Sequence, residues 1–396
     1  MNPATNPFSP GAGTQPPELA GRQSILSAAQ LALDRTKNGR SARSQMLLGL
    51  RGVGKTVLLN KINDLAEEAG YFTVVLEAPE GRRLAEMLVP PLRTVLHKLS
   101  KTEHAVVVAR RGLAILRAFA GAFKVSAGDI EFGIAPETGT ADSGDLESDL
   151  AELLVAVAAA AKAAGRAVAL VIDEVQYLSQ DDLAALIVSI HKISQKSLPL
   201  VAFGAGLPQL AALAGEAKSY AERLFDYPEV GPLDETAAAE AIRAPIQREG
   251  ADITAPALAK LVQMTQGYPY FLQEFGSQAW NMAAGSPINL DDVERAAEDA
   301  VRRLDHGFFR VRLDRLTPRE RDYVRAMAEL GDGPHRSGEI AHLLRINVSN
   351  AAPLRHALIK KGMVYSPQHG DTAFTVPMFR DFVLRSMPNW KAQGEE

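Results

Sequence analysis

The stretch LLGLRGVGKTVLLNKI at residues 47–62 decides the fold of this chain. A short apolar run, a glycine-rich turn and an amphipathic segment follow one another, which is the order strand, loop, helix. The turn, GLRGVGKT at residues 49–56, matches G-x-x-x-x-G-K-[ST] at every position. Glycines let a backbone approach an anion without a Cβ in the way, and a helix that begins there points its N–H groups at the same place. The sequence therefore predicts a phosphate-binding loop.

The loop also predicts how a nucleotide and its metal ion are held. Lys55 would reach the β- and γ-phosphates, and the Thr56 hydroxyl would ligate Mg²⁺. The sequence thus predicts ATP and Mg²⁺ as ligands. The residues predicted to bind the nucleotide are Gly49, Leu50, Arg51, Gly52, Val53, Gly54, Lys55 and Thr56.

A second pair of polar residues follows a later apolar run, AVALVIDEVQ at residues 167–176. Such a continuous run is typical of a strand buried on both faces. Asp173 at its end would hold Mg²⁺, and Glu174 would polarise the attacking water. The alternative is that both acids only cap the following helix, a position that acidic residues favour.

These two motifs, with PELAGRQ at residues 17–23 ahead of them, resemble those of AAA+-type P-loop ATPases. The resemblance is to archaeal-type and origin-recognition-like ATPases, which grade into the STAND signalling NTPases, and it covers residues 17–300. It implies an α/β P-loop core with a helical lid, and it implies that residues 18–22 lie against the adenine.

The resemblance extends to two further positions. Gly267-Tyr268-Pro269 is similar to the GxP motif by which STAND lids sense the nucleotide, so Pro269 is a predicted binding residue; the alternative is a helix break. Arg223, in YAERLF, lies where such ATPases carry an arginine for the γ-phosphate; the alternative is an exposed helical arginine. The predicted catalytic residues are thus Glu174, Lys55 and Arg223.

One feature departs from the family. In AAA+ enzymes the strand predicted here at residues 198–203 usually ends in a polar residue that orients the attacking water. Here the run is Phe203-Gly204-Ala205-Gly206, without a polar side chain. Gln209 and Gln176 are the substitutes that the sequence offers, and slow hydrolysis is expected.

The C-terminal part resembles a winged helix-turn-helix, with residues 349–361 as recognition helix and residues 366–372 as wing. LTPRE, with Thr317 before the first turn and Glu320 three residues later, predicts a capped helix ahead of it. Residues 301–396 hold 16 Lys and Arg against 11 Asp and Glu, which favours an acidic partner such as duplex DNA. The residues predicted to face DNA are Ser349, Asn350, Arg355, His356, Lys360 and Lys361, while Leu354, Leu358 and Ile359 pack inward. The alternative is a protein-docking domain.

Composition narrows the class of protein. With 46% hydrophobic and 23% charged residues, the chain of 396 residues is typical of globular proteins. The absence of cysteine excludes disulfides, thiolate zinc sites and cysteine nucleophiles. The N-terminus lacks the pattern of a signal peptide, and charges interrupt the apolar segment at residues 153–172, so a cytoplasmic protein without a membrane span is expected.

The predicted fold class is α/β: a parallel-sheet P-loop ATPase core, a helical lid and a C-terminal winged helix. The predicted divisions are a flexible N-terminal arm at residues 1–16, the core at 17–232, the lid at 233–300 and the winged helix at 301–390. A hairpin is predicted at residues 125–134.

The predicted function is that of a nucleotide-controlled switch that binds and slowly hydrolyses ATP and associates with DNA. A homo-oligomer or a protein partner is also compatible with the sequence. Two alternatives remain open: a STAND-like signalling switch whose winged helix docks protein rather than DNA, and a nucleotide binder that does not hydrolyse.

Overall fold

The computed structural model describes residues 1–11, 13–125, 135–368 and 370–391. The hairpin predicted at residues 125–134 lies, beyond Val125, outside the described residues. The chain divides into two compact units. The α/β unit comprises Arg22–Gly49 and Lys55–Val230, and the helical unit comprises Met1–Gly21, Leu50–Gly54 and Gly231–Glu396. Across the described ranges, none of the helices combines the length and apolarity that crossing a bilayer requires.

A parallel five-stranded sheet forms the centre of the α/β unit, in the order β2-β3-β4-β1-β5. This confirms the predicted parallel-sheet α/β core. The strands are β1 Ser44–Leu48, β2 Phe72–Glu77, β3 Val168–Asp173, β4 Leu200–Gly206 and β5 Phe225–Asp226. The helices are α1 Gln23–Lys37, α2 Lys55–Glu68, α3 Leu84–Leu99, α4 Val106–Ala122, α5 Leu146–Ala163, α6 Gln180–Gln195, α7 Leu210–Ala217 and α8 Ala221–Leu224.

Burial explains why these runs form strands. All residues of β1 and β4 are buried, as are the first five of β3, because helices cover both faces of a parallel sheet. The register pairs Leu48 with Gly206 and Ile172 with Gly204. The carboxyl ends of β1, β4 and β3 therefore lie side by side, and this edge of an open α/β sheet is where ligands bind.

The helical unit contains two successive groups of elements. The first group comprises α9 Glu235–Arg248, α10 Ala255–Thr265, α11 Pro269–Met282, α12 Leu290–Arg303 and α13 Arg310–Asp314, with a π-helical segment at Leu304–Phe309. The second comprises α14 Pro318–Leu330, β6 His335–Arg336, α15 Ser337–Leu343, α16 Val348–Lys360, β7 Val364–Tyr365, β8 Asp371–Phe374 and α17 Phe379–Ser386. Its three strands form an antiparallel sheet in the order β6-β8-β7. The predicted cap of α14 is confirmed, since Thr317 N–H donates to Glu320 Oε2 at 2.7 Å.

The N-terminal residues correct the prediction of a loose arm. Phe8 is only 5% exposed, and a Cβ on Gly276 of α11 would lie 2.7 Å from its ring. The Asn6 side-chain amide donates to Ser277 O and to Asn281 Oδ1, at 3.0 and 2.9 Å. The sequence around Phe8 is rich in proline and glycine and suggests a flexible segment, but one buried aromatic ring and a bonded amide hold it on α11.

Candidate nucleotide site

The acidic end of β3 and the first turn of α2 meet in the α/β unit. The Thr56 hydroxyl donates to Asp173 Oδ2 at 2.5 Å, and Asp173 Oδ1 accepts from Glu174 N–H at 2.8 Å. Burial raises the pKa of Asp173, and the hydrogen bond from Thr56 opposes that rise. A hydroxyl and a carboxylate in contact present the hard oxygen ligands that Mg²⁺ prefers, so the residues present fit this ion.

The side chain of Lys55 is held inside the loop that precedes α2. It is 6% exposed, and its Nζ donates to Gly49 O at 3.0 Å. Gly52 and Gly54 have φ values of +82° and +94°, which residues with a Cβ rarely adopt. The backbone thus takes the conformation that the glycines of the motif predict, with a buried cation beside it to attract an anion.

Glu174 is the residue before the 3₁₀-helix Val175–Tyr177, but its side chain makes no capping hydrogen bond there. The next long helix, α6, begins at Gln180 and is capped by Ser179, whose Oγ accepts from Asp182 N–H at 3.1 Å. Glu174 itself has φ 54° and ψ 37°, a left-handed conformation that costs a residue other than glycine about 1–3 kcal/mol. The Glu174 side chain therefore caps neither the 3₁₀-helix nor α6.

Gln176 contacts the same carboxylate. Its Nε2 donates to Glu174 Oε2, and its Oε1 accepts from Leu207 N–H at 3.2 Å. Leu207 directly follows β4, so the end of β4 and the end of β3 share one amide side chain. Of the two substitutes that the sequence offers for the missing polar residue, Gln176 is the one that the structure places against Glu174.

Residues 50–54, the middle of the loop, belong to the helical unit. Tyrosines near the start of α11 contact them there. The Tyr268 hydroxyl donates to Arg51 O at 2.5 Å, and Tyr270 N–H donates to Gly52 O at 3.2 Å. Pro269 occupies the first position of α11 between them. The predicted GxP element thus contacts the loop through the two residues on either side of Pro269. The sequence did not predict these contacts, although the two tyrosines that flank the proline could have indicated them.

Gly267 explains how this turn is built. Its φ is +68°, and a Cβ there would lie 2.1 Å from Leu233 O. Only glycine allows that approach, and Leu233 N–H accordingly donates to Gly267 O at 2.8 Å. The turn therefore fixes the start of α11 and, with it, the two tyrosines.

An aromatic stack continues from Tyr270 to an arginine that the sequence analysis also missed. The Tyr270 and Phe308 rings stack with centroids 4.7 Å apart, and the Arg312 guanidinium lies 3.7 Å from the Phe308 centroid. Burial, with the positive charge of Arg51 as second cause, lowers the pKa of Arg312 to about 10. Arg312 is still charged at neutral pH, so the helical unit holds its charge near that of Arg51 at a cost that a bound anion would relieve.

Arg223, the predicted γ-phosphate arginine, is exposed on the short helix α8. Among the residues that the structure describes, its side chain has neither a hydrogen bond nor an ion pair. This position leaves it accessible to another molecule.

Two of the six residues assigned to DNA have hydrogen-bond partners within the helical unit. Arg355 donates to Thr372 Oγ1, Ser366 Oγ and Asp371 O at 2.7–2.8 Å, so it holds the loop between β7 and β8. Lys361 Nζ lies 2.7 Å from Glu320 Oε2 and ties α16 to α14. The predicted residues that are exposed are Ser349, Asn350, His356, Lys360 and Lys361. Of those predicted to pack inward, Leu358 is buried, and Leu354 and Ile359 are half-buried.

Two family models match segments of this chain. Residues 18–203 match the AAA ATPase domain, and residues 306–383 match a domain of unknown function, DUF8462. A comparison with curated proteins finds no match.

Solved structures of similar fold include a Walker-type ATPase of Pyrococcus abyssi, which is 18% identical and has a TM-score of 0.62 over 95% of this chain and 99% of its own. The RuvB Holliday junction branch migration motor of Thermotoga maritima is 16% identical, with a TM-score of 0.47 over 91% and 96% of the two chains. The ORC1 protein of Aeropyrum pernix, solved in complex with DNA, is 14% identical, with a TM-score of 0.46 over 94% of each. The first of these shares the fold, and residues 18–203 of the present chain correspond to an AAA ATPase domain.

Proposed function

We propose that this protein is a nucleotide-controlled switch that binds Mg²⁺–ATP, hydrolyses it slowly and passes the state of the loop to its helical unit. The observation that carries the proposal is the pair of hydrogen bonds from Tyr268 and Tyr270 to Arg51 O and Gly52 O. Phosphate binding acts on the N–H groups of this same loop. A change in the loop backbone therefore changes the anchoring of α11.

The residues of the α/β unit supply the chemistry in this proposal. Lys55 would leave Gly49 O to contact the β- and γ-phosphates, and Thr56 and Asp173 would hold Mg²⁺, which neutralises phosphate charge when bound. A water oxygen adds to the γ-phosphorus while the bond to the β–γ bridging oxygen breaks, giving ADP and phosphate. Glu174 orients this water and accepts its proton.

Slow turnover is expected because a polar side chain is missing from the end of β4 and because Arg223 is exposed. The end of β4 carries Gly204, Ala205 and Gly206 and offers no polar side chain to the water. Arg223 is exposed, so it could contact the nucleotide of a neighbouring copy. An arginine supplied in trans accelerates GTPases by 10³–10⁵-fold. The proposal therefore includes assembly of several copies as the accelerating event, in the cytoplasm, where ATP is available.

Nucleotide binding is tested by replacing the lysine of the loop. Lys55→Ala should abolish ATP binding in equilibrium titration, because the buried ammonium supplies the charge that faces the phosphates. Lys61→Ala, at a lysine later in α2, is the matched control and should bind as the wild type does. Normal ATP binding by Lys55→Ala would show that the loop has another role, while ATP binding without phosphate release by the wild type would favour a non-hydrolysing binder.

The domain divisions are part of the same proposal: a core at residues 17–232, a lid at 233–300 and a winged helix at 301–390. The order α14, α15, α16 followed by β7 and β8 supports the winged helix, because a helix-turn-helix is followed there by a strand pair. Arg355 then serves to hold the wing rather than to contact a partner.

DNA binding is a second candidate function, favoured by the exposed first turns of α16. Ser349 and Asn350 are both exposed there, on a part of the chain with a net positive charge. In helix-turn-helix proteins the N-terminal residues of the recognition helix contact base edges. A partner protein in place of DNA is the other outcome.

A titration of the full chain with duplex DNA separates these outcomes. Affinity should fall as salt rises, since phosphate contacts release counterions, and the double variant Ser349→Glu, Asn350→Glu should lose binding. Gln263→Glu on the exposed side of α10 adds one acidic group elsewhere in the same unit and serves as control. The absence of DNA binding at low salt would leave protein docking as the role of α16.

A further inference from the structure

The carboxamide of Gln176 is fixed at both of its ends. Leu207 N–H can only donate, so the atom 3.2 Å from it must be the amide oxygen. The amide nitrogen then faces Glu174 Oε2, which accepts from it. An ionised carboxylate has no proton to give, so this orientation satisfies all three groups and no flipped amide would.

The residue before Leu207 is a glycine for a reason that involves the same amide. A Cβ on Gly206 would lie 2.7 Å from Gln176 Oε1 and 2.8 Å from Leu210 Cδ2, closer than side-chain carbons approach their neighbours. Gly206 O also accepts from Gly49 N–H, at 3.1 Å, at the first residue of the loop. The missing side chain at the end of β4 thus makes room for the side chain of Gln176.

We propose that Gln176 is a positioning residue: its carboxamide occupies the space that the absent side chain of Gly206 leaves at the end of β4, and it holds the Glu174 carboxylate for reaction with water. One hydrogen bond to Oε2 restrains a side chain with three rotatable bonds and leaves Oε1 for the water. Such positioning matters because a shift of about 1 Å in a reacting group can cost 10²-fold in rate. This inference rests on the proposed ATP hydrolysis and adds a residue to it.

Three variants and a control test the inference in the full-length protein. Gln176→Met keeps the length of the side chain and removes both hydrogen bonds, and Gly206→Ala displaces the amide while Gln176 remains. Each should lower kcat by about 10- to 100-fold, with KM and ATP affinity within about twofold of the wild type, because only the orientation of Glu174 changes. The double variant should lose no more than the single ones, since both act on the same contact. Gln180→Ala, an exposed glutamine four residues away, should turn over as the wild type does.

A second measurement needs no nucleotide. Hydrogen exchange at the Leu207 amide should be faster in Gln176→Met than in the wild type, because the amide loses its acceptor, while exchange in the middle of β4 stays slow. Unchanged exchange at Leu207 would overturn the contact itself. If Gln176→Met fails to fold, the same readout in Gly206→Ala takes its place.

The outcomes separate this inference from the function on which it rests. A wild type that neither binds ATP nor releases phosphate overturns the proposed function, whatever Leu207 shows. A wild type that turns over, with Gln176→Met at an equal or higher kcat, overturns the positioning role alone. Additive losses in the double variant would also overturn it, because Gly206 would then act by another route.

Discussion

The two ends of the loop make contacts of opposite character. In the α/β unit, Lys55 and Thr56 meet small polar groups, a carbonyl and the Asp173 carboxylate, at 3.0 and 2.5 Å. In the helical unit, Arg51 and Gly52 are bonded by two tyrosines whose neighbourhood is aromatic. The groups around Lys55 and Thr56 fit a metal ion and phosphate. The groups around Arg51 and Gly52 include no residue with a role in the proposed reaction.

Under the proposed function, this difference assigns the chemistry to one end of the loop and the coupling to α11 to the other. The bond from the Thr56 hydroxyl to the Asp173 carboxylate is a charge-assisted hydrogen bond, and both groups are also ligands for a metal ion. Stacked rings such as Tyr270 and Phe308 form a stiff, packed contact that moves as a body. In the proposed switch, the polar end of the loop responds to the nucleotide, and the aromatic end carries that response to α11 and α13.

The largest effect should come from a substitution that removes the proposed base and leaves the tyrosine contacts in place. Glu174→Gln should lower turnover by about 10²- to 10⁴-fold, because the amide cannot accept the proton of the attacking water. ATP affinity should remain, and Tyr268 and Tyr270 should keep their contacts. Phosphate release and equilibrium ATP binding measure the two quantities, with Asp181→Asn, an exposed acid at the start of α6, as control. Undiminished turnover in Glu174→Gln would assign the base to another residue.

A smaller effect should come from removing the hydrogen bond between the Tyr268 hydroxyl and Arg51 O. Tyr268→Phe removes the donor to Arg51 O, a bond worth about 1 kcal/mol, and so frees the loop backbone. We expect ATP affinity to rise by up to about fivefold, since a difference of about 1.4 kcal/mol is tenfold, while the turnover of bound ATP stays within about twofold. Tyr227→Phe is the matched control, because the Tyr227 hydroxyl has no hydrogen-bond partner among the described residues. ATP affinities equal to the wild type in Tyr268→Phe would mean that this bond does not restrain the loop.

The smallest effect concerns the charge at the end of the aromatic stack. Arg312→Met removes a half-buried positive charge near Arg51 while keeping a long side chain over Phe308. Replacing such a charge by an apolar group is often neutral or stabilising, and we expect the free energy of unfolding without nucleotide to rise by about 1 kcal/mol. Urea unfolding measures it, and Arg319→Met, an exposed arginine of α14, should change it by less than about 0.5 kcal/mol. A clear loss of stability in Arg312→Met would show that the contact with Phe308 outweighs the repulsion.

The sequence by itself determined the parts of this protein that are local. The loop, the strand before it and the helix after it are encoded by consecutive residues, because glycine conformations and apolar runs act within a few positions. The position of Asp173 and Glu174 at the end of a buried strand is predictable for the same reason. The parallel sheet follows from alternating strands and helices, since parallel strands need a helical crossover.

Only the tertiary structure decided which distant residues serve these local parts. Nothing in the periodicity of α11 predicts that Tyr268 bonds Arg51 O, 217 residues earlier. The sequence likewise does not predict that Phe8 packs on Gly276. Arg355 is of a residue type that often contacts DNA, but here it holds the loop between β7 and β8. Hydrogen bonds and ring contacts of this kind depend on how whole elements pack, and a buried donor takes whichever acceptor that packing brings within reach.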